Sequence, residues 1–476
     1  MPAIMRRTIM NKLLPLALAF AAAGCSFVPE YQRPAAPVPV AWPAAEKVGA
    51  DGTAKTYTAH TAEAWREFFP DARLQALITA ALENNRDLRI AVARVDEARA
   101  LAGIARADRF PGVDVSLQQQ AAKVPGDLNS TGQPTISRRF DANFGVAAFE
   151  LDFWGRVKSL DDAARANFLA SDYAQRAFRL SLIADVAMAY YSLVELDARL
   201  ALAEATVKTR AESRALVGKR RDVGLAGDLD ALTADGAWQN ARADTASLAR
   251  QRTAAENALR LLVGTDLPAT VSPAPSFPAM PEIAVGVPAD VLLKRPDVLA
   301  AEQKLLGANA NIGAARAAFL PKIVLTAAAG SASGALSGLF SSGSGAWSFV
   351  PLLRWPLFDA GRTEGNVDLA VARKNIAVAD YEKTIQQAFR EVADLLDARV
   401  RYAEQLDALD GAALAQDERL KRVQARYAAG VSSYLELLDA QRDLFAAQQS
   451  ALATRRAQAA VAASLFKALG GAEAGA

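Results

Sequence analysis

The residue types that most enzyme chemistry requires are nearly missing from this 476-residue sequence. It holds one histidine, His60, and one cysteine, Cys25. A His/Cys metal cluster cannot be assembled within one chain, and neither can a Ser-His or Cys-His pair with an ordinary pocket histidine. Carboxylates are plentiful, but no spacing singles out a pair for acid–base work. Asp161-Asp162 and Asp417-Glu418 read as solvated helix faces. Gly218-Lys219 lacks the earlier glycine and the following Ser/Thr of a phosphate loop, and Asn129-Ser130-Thr131 matches a glycosylation pattern and nothing more. The 54 basic and 52 acidic residues leave a formal charge of +2, with no basic stripe for nucleic acid. The expectation is no catalytic residue, no metal and no cofactor.

Cys25 has a different chemistry open to it. Arg6, Arg7 and Lys12 precede a short apolar run, Leu13 to Phe20, too short to span a bilayer as a helix. Ala22-Ala23-Gly24-Cys25 follows. This resembles the bacterial lipobox, with Ala22 where leucine is commoner. It implies a signal peptide over residues 1–24 and covalent lipid, palmitate included, on Cys25; the other reading is an ordinary signal peptide with an incidental cysteine. A lone thiol cannot form an internal disulfide. Ser26, in place of aspartate, points to export to the outer membrane. Several acyl chains on one residue anchor a protein stably.

The elements that follow are organised as a duplication. Prolines 29, 34, 37, 39 and 43 keep helix out of the chain before about residue 60. A second proline-rich segment, Pro268 to Pro288, separates two long regions that look alike. At a shift of 210, Asp87 meets Asp297, Arg106 meets Arg316 and Pro111 meets Pro321. At a shift of 206, Leu151, Gly155 and Arg156 meet Leu357, Gly361 and Arg362; Gly224 and Leu229 meet Gly430 and Leu435; Leu259 and Gly264 meet Leu465 and Gly470. Alanine-rich helices match by chance, but glycine and proline landmarks in one order do not. The boundaries read as 25–62 (N-terminal segment), 63–264 (first repeat), 265–289 (linker), 290–470 (second repeat) and 471–476 (tail).

Each repeat reads as helix, two strands, two helices. Leu74 to Phe110 is helical, ended by Pro111. From Val113 the period changes to two, predicting strands at about 113–122, 138–151, 322–331 and 346–357, with Pro351 weakening or bulging the last. Ten residues tilted by about 45° rise about 24 Å, against roughly 25 Å for the apolar band of an outer-membrane barrel. Aromatics gather at the strand ends: Phe110, Phe149, Phe153, Trp154, Phe319, Trp355 and Phe358. A membrane-spanning hairpin and a soluble hairpin with one face on a core both fit. Four strands cannot close a barrel, so in the membrane reading several chains share one.

Trp154 to Arg221 contains no proline and would reach roughly 100 Å as one helix. It carries two apolar stripes, Leu180, Ile183, Ala187, Tyr190, Val194 and Leu182, Val186, Ala189, Leu193, Leu196, Leu200. Two stripes call for neighbours on both sides, as in a wall of helices; a coiled-coil rod or bundle also fits.

CSFVPEYQRP at Cys25, RPDVLAAEQKLLGANANIGAARAAFLPKI at Arg295, PLFDAGR at Pro356 and YAAGVSSYLELLDAQRDLF at Tyr427 resemble the TolC/OprM-type outer-membrane factors, and most closely the lipoprotein branch serving tripartite drug efflux. The resemblance covers essentially the whole mature chain. It implies a mainly α, internally duplicated subunit of a homotrimer, with a shared twelve-stranded β-barrel on a periplasmic α-helical barrel. The partners it implies are a periplasmic adaptor, an inner-membrane RND-type pump and outer-membrane lipid, with no nucleic acid. The function it implies is passive efflux of drugs or other small toxic compounds. A type I protein-secretion channel shares the fold, and a periplasmic adaptor lipoprotein shares the long helical hairpins.

Carried over by position, the helix-to-helix turns Val223, Gly224, Leu225 and Gly430, Val431, Ser432 are the adaptor contacts, although a plain hairpin turn also explains their glycines. Leu435 and Asp439, four apart on one helical face, match the periplasmic gate: an apolar ring that resists wetting and a charged ring that favours cations. Without the resemblance they read as a core leucine and a solvated aspartate. The first repeat offers Leu229 but only Thr233 opposite Asp439.

Overall fold

The computed structural model describes residues 27–39, 57–59, 65–267, 277 and 289–474. Cys25, Ser26, His60, the signal peptide at 1–24 and most of the 265–289 linker lie outside the described residues. The elements are β1 (Tyr57–Ala59), α1 (Trp65–Phe68), α2 (Ala72–Asn84), α3 (Arg86–Ala107), β2 (Asp114–Val124), β3 (Thr135–Glu150), α4 (Arg156–Asp222), α5 (Asp228–Val263), α6 (Pro296–Ala317), β4 (Lys322–Ser333), β5 (Gly345–Arg354), α7 (Arg362–Ala428), α8 (Tyr434–Ala468) and β6 (Ala472–Ala474).

From α3 and α6 onward the duplication holds element by element. α3 and α6 are both 22 residues long and start 210 apart. α4 and α7 are both 67 residues long and start 206 apart. α5 and α8 run 36 and 35 residues. The chain divides into two compact units, with boundaries inside α3, α4, α6 and α7.

One unit contains the four-stranded antiparallel sheet, in the order β2-β3-β4-β5. The strands differ at their ends from the alternation. β5 stops at Arg354 rather than 357 because Trp355 precedes Pro356, which has no N–H for the ladder. Pro351 does not bulge β5. It stays in register opposite Leu325, because β5 is the outer strand of this sheet and its missing N–H can face away from β4. The register shift lies instead in β3, between Val146 and Phe149, where Ala148 takes φ 57°.

The same unit holds the N-terminal strap. Val28 packs on Gly313, the Asn309 amide donates to the Pro29 carbonyl at 2.8 Å, and the Tyr31 hydroxyl donates to Glu302 at 3.0 Å. Arg33 donates from Nε to Glu302 at 2.7 Å and from Nη2 to the other carboxylate oxygen. The strap therefore runs antiparallel to α6. Five extended residues and eleven helical residues both cover about 16 Å, so the two stay in register from Val28 to Arg33.

The other unit holds the helical hairpins. The helix read from Leu74 to Phe110 is two helices. Asn85 breaks it, because its N–H closes α2 on the Ala81 carbonyl while its side chain caps the Leu88 N–H of α3. Phe68 and Phe69 pack on Phe466 with ring centroids 5.1 and 5.5 Å apart, each buried ring contributing roughly 1.5–3 kcal/mol. Both stripes of α4 have partners: Ile183, Ala187, Tyr190 and Val194 are buried, and so are Leu182, Val186 and Leu193. The 471–476 tail is not featureless, since β6 pairs with β1 in a ribbon that the sequence pattern did not announce.

Candidate functional site

The first candidate surface is the sheet. Directly paired residues share a face, so the register sorts the side chains. One face reads Val115, Phe144, Ala329, Trp347 across all four strands, then Val146, Ala327, Phe349, then Phe149, Leu325, Pro351, then Ile323, Leu353. The opposite face reads Ser116, Asn143, Gly330, Ala346, then Gln118, Asp141, Ala332, then Asp114, Gly145, Ala328, Ser348; Val124, Val324, Val350 and Leu352 are its larger apolar exceptions. Among the described residues nothing covers the outer part of the apolar face: Val115 and Trp347 are each 81% exposed. A soluble hairpin with one face on a core does not look like this. Phe110, Phe153, Phe319, Trp355 and Phe358 are exposed as well, with the Trp355 indole donating to the Phe319 carbonyl at 3.1 Å and the Trp154 indole to the Pro321 carbonyl at 2.8 Å. Amphipathic rings of this kind suit a membrane–water boundary.

The second surface is the pair of helix-to-helix turns. α4 ends on Gly224, at φ 77°, and α7 ends on Gly430, also at φ 77°. In the first turn the Gly224 N–H donates to the Arg221 carbonyl at 2.9 Å and the Leu225 N–H to the Arg220 carbonyl at 2.7 Å. In the second, Gly430 donates to Tyr427 at 3.1 Å and Val431 to Arg426 at 3.0 Å. These are two copies of one Schellman motif. Val223, Leu225 and Val431 project into solvent, while Ser432 is half-buried and its hydroxyl donates to Glu436. Ser433 caps α8, accepting from the Glu436 N–H at 3.2 Å; Gly227, at the start of α5, has no side chain to cap with.

Behind the turns the two hairpins share an apolar core of Val217, Ala234, Val423, Tyr427, Tyr434, Leu437 and Ala440. The Arg220 guanidinium lies 4.6 Å over the Tyr427 ring, a cation–π contact that holds the first turn against the second hairpin.

The gate candidates lie on the other face of α8. Leu435 is 60% exposed, so the core-leucine reading fails. Asp439 is half-buried and is not alone: Arg442 Nη2 approaches it to 3.4 Å and Asp443 to 3.5 Å, while Arg419 of α7 bonds Asp443 at 2.7 Å. The Arg419 hydrogen bond, aided by Arg442, holds the Asp443 carboxyl below its usual range. Sequence reasoning missed this ladder, although Arg442 stands three residues from Asp439, a spacing that signals a helical ion pair. Thr233 spends its hydroxyl on the Leu229 carbonyl at 2.7 Å, so nothing in the first repeat mirrors the charge. Among the described residues no cluster of His, Cys, Asp and Glu is arranged to hold a metal.

Residues 77–265 and 287–471 match the outer membrane efflux protein family. The toluene efflux pump outer membrane protein TtgI of Pseudomonas putida is 44% identical over 97% of this chain and 98% of its own length. The outer membrane protein OprJ of Pseudomonas aeruginosa is 42% identical over 96% of this chain and 95% of its own. A crystal structure of a membrane protein from Pseudomonas aeruginosa aligns with a TM-score of 0.85 at 41% identity, covering 94% of this chain and all of that one. The uncovered apolar sheet face, the duplicated long-helix hairpins and these likenesses agree: this chain belongs to the outer membrane efflux protein family.

Proposed function

We propose that the chain is one subunit of a homotrimeric channel in a tripartite efflux system, and that it conducts passively rather than catalysing a reaction. The observation that carries this is the four-stranded sheet with an apolar face and a largely polar one. Four strands are too few to close, and a closed barrel is the only sheet a bilayer tolerates. Three copies supply twelve strands, apolar outward and polar toward the lumen. The helical hairpins form a periplasmic duct. The relatives named for toluene and for other efflux favour small apolar compounds over secreted protein as cargo, which sets this reading above a type I secretion channel. An adaptor lipoprotein has no use for the uncovered sheet face.

Cys25 carries the lipid in this reading, after removal of residues 1–24. From Arg33 back to Val28 the described strap runs along α6 toward the helix end that leads into β4. Val223, Gly224, Leu225, Gly430, Val431 and Ser432 meet a periplasmic adaptor, which links the channel to an inner-membrane RND-type pump. Leu435 and Asp439 ring the periplasmic end, and adaptor binding opens it by favouring the open state. The repeats, linker and tail keep the boundaries read from sequence.

The test is conductance of the purified, acylated protein in planar bilayers, with crosslinking to count subunits. Trimers that conduct, and an L435A/D439A variant with raised leak and raised sensitivity to a large antibiotic, support the proposal. Trimers without conductance, or a leak that the double variant leaves unchanged, count against it.

A further inference from the structure

The four-helix seam behind the turns contains a polar layer that the gate reading does not use. Arg210 of α4 is 9% exposed. Its Nη1 donates to the Ala237 carbonyl of α5 at 2.8 Å, and its Nε is buried with no acceptor. Burial pulls its guanidinium below the usual arginine range; the partners it senses are the Tyr434 hydroxyl and the Asp244 carboxylate, and neither bonds it. Gln441 of α8 is 8% exposed with Oε1 buried and unbonded, and Tyr434 is 4% exposed with its hydroxyl in the same condition.

Arg210 and Gln441 lie at nearly one level. Arg210 precedes Gly224 by 14 residues and Gln441 follows Gly430 by 11, a difference of about 5 Å along the helices that an arginine side chain spans. The Tyr427–Tyr434 core lies toward the turns, and Leu196, Ala203 and Leu248 form the next apolar cluster along the helices. The positions equivalent by the duplication have ionic or hydrogen-bonding partners. Gln416 stands for Arg210 and accepts from Arg419 at 3.2 Å; Asp235 stands for Gln441 and pairs with Arg214 at 2.7 Å. Arg210 and Gln441 thus differ from their counterparts in having no side-chain partner for Nε and Oε1.

α8 joins the two. Tyr434, Leu437 and Gln441 face the seam, while Leu435, Asp439 and Arg442 of the same turns face outward. A rotation of α8 about its axis moves both sets together. A buried donor and a buried acceptor left apart are costly, and a polar residue in a helical seam specifies register at the expense of stability. The arrangement makes sense where a second register is close in energy.

We infer that Arg210 and Gln441 are positioning residues for the gate: in a second arrangement Gln441 Oε1 accepts from Arg210 Nε, and exchange between the two turns α8 and displaces Leu435 and Asp439. This rests on the gate reading proposed above. R210M and Q441L each remove one partner at nearly constant volume. Both variants are expected to melt at a higher temperature than the parent trimer. Each is expected to change bilayer leak at least threefold, in the same direction, and the R210M/Q441L double variant no further than either alone.

Unchanged leak in both single variants, or a double variant whose change is the product of the two, overturns the inference. So does a lower melting temperature with loss of trimer in both. Where R210M alone fails to assemble, Q441L carries the same comparison. A leaky L435A/D439A channel beside silent R210M and Q441L overturns this inference alone, whereas a tight L435A/D439A channel overturns the gate reading on which it stands.

Discussion

Asn85 and Arg295 occupy equivalent positions in the two repeats and close the same contact with different chemistry. Asn85 Nδ2 donates to the Leu262 carbonyl at 2.8 Å, and Arg295 Nη1 donates to the Ala468 carbonyl at 2.7 Å. Each residue stands just before a 22-residue helix and ties it to the last turn of the hairpin helix of its own repeat. Arg295 goes further, binding Asp297 in a fork at 3.0 and 2.8 Å and Glu391 at 2.8 Å. The two latches should therefore fail differently. Asn85→Ala leaves a carbonyl and an N–H unsatisfied and is expected to cost about 1–3 kcal/mol. Arg295→Ala also takes a partner from Asp297 and Glu391, both partly exposed, and is expected to fall at or just above the upper end of that range, about 3 kcal/mol. Arg295→Lys should recover only part of this, since an ammonium cannot reproduce the fork. Melting temperatures of the three variants in detergent check the order.

The turn glycines are needed for backbone, not space. A Cβ at Gly224 or Gly430 meets nothing within 4 Å, but both residues are left-handed. Alanine at either is expected to destabilise its hairpin by about 1 kcal/mol, and by the same amount at both. Leu225→Glu should leave the melting temperature unchanged, because the side chain is 77% exposed. In the adaptor reading it should abolish co-purification of the adaptor. Hydrogen exchange at the turns and a pull-down separate the two effects.

Much of this was legible before the fold was known. The offsets of 206 and 210 located every long helix, because glycine and proline landmarks are fixed by backbone conformation and survive drift in the helices between them. The turns at Gly224 and Gly430 followed from the same landmarks. Three things were hidden for physical reasons. Asn85 ends one helix and starts the next within an uninterrupted apolar periodicity, so pattern alone shows one helix. The Tyr57–Ala59 and Ala472–Ala474 ribbon joins segments far apart in sequence, each too short for an alternation. The burial of Arg210 depends on the packing of three other helices around α4, and nothing in the spacing of α4 itself reports that.

The strap should respond to acid with a definite sign. Arg33, by its hydrogen bonds, and Tyr31 hold the Glu302 carboxyl below its usual 4.5 against the opposing effect of burial. A carboxylate lowered in the folded state stabilises above the unfolded pKa, and that contribution is lost as pH falls through the folded pKa. The strap is expected to stay docked at neutral pH and to loosen only once pH falls below about 4.5. Glu302→Gln should loosen it at neutral pH and remove the acid dependence. Protease cleavage between Phe27 and Arg33, followed against pH, reads both.

The sheet contains glycines of a different kind. A methyl at Gly330 would overlap the Ala142 carbonyl of β3, and one at Gly145 would overlap the Ala327 carbonyl of β4. Both obstacles are backbone, which cannot move without breaking the ladder between the two repeats. In the trimer reading, Gly330→Ala is expected to block formation of heat-resistant trimers while leaving the helical circular dichroism near its parent value. Gly224→Ala, with open space around it, should assemble normally. Gel mobility of unheated samples distinguishes them.

In the gate reading, Arg442 sets the charge beside Asp439. Asp439 alone would give a ring favouring cations, but Arg442 lies 3.4 Å from it. A unit charge at about 4 Å in water is worth about 1 kcal/mol, which corresponds to about a fivefold change in ion preference. Arg442→Gln is therefore expected to raise the K⁺/Cl⁻ permeability ratio about fivefold at low salt, and less as the Debye length shrinks. Asp439→Asn should move it the other way. The exposed pair is held by Coulomb attraction in water, so the shift should fade between about 0.01 and 1 M salt. Reversal potentials across a KCl gradient measure the ratio directly. An Arg442→Gln channel with the parent reversal potential at low salt would mean that Asp439 and Arg442 do not line the conducting path.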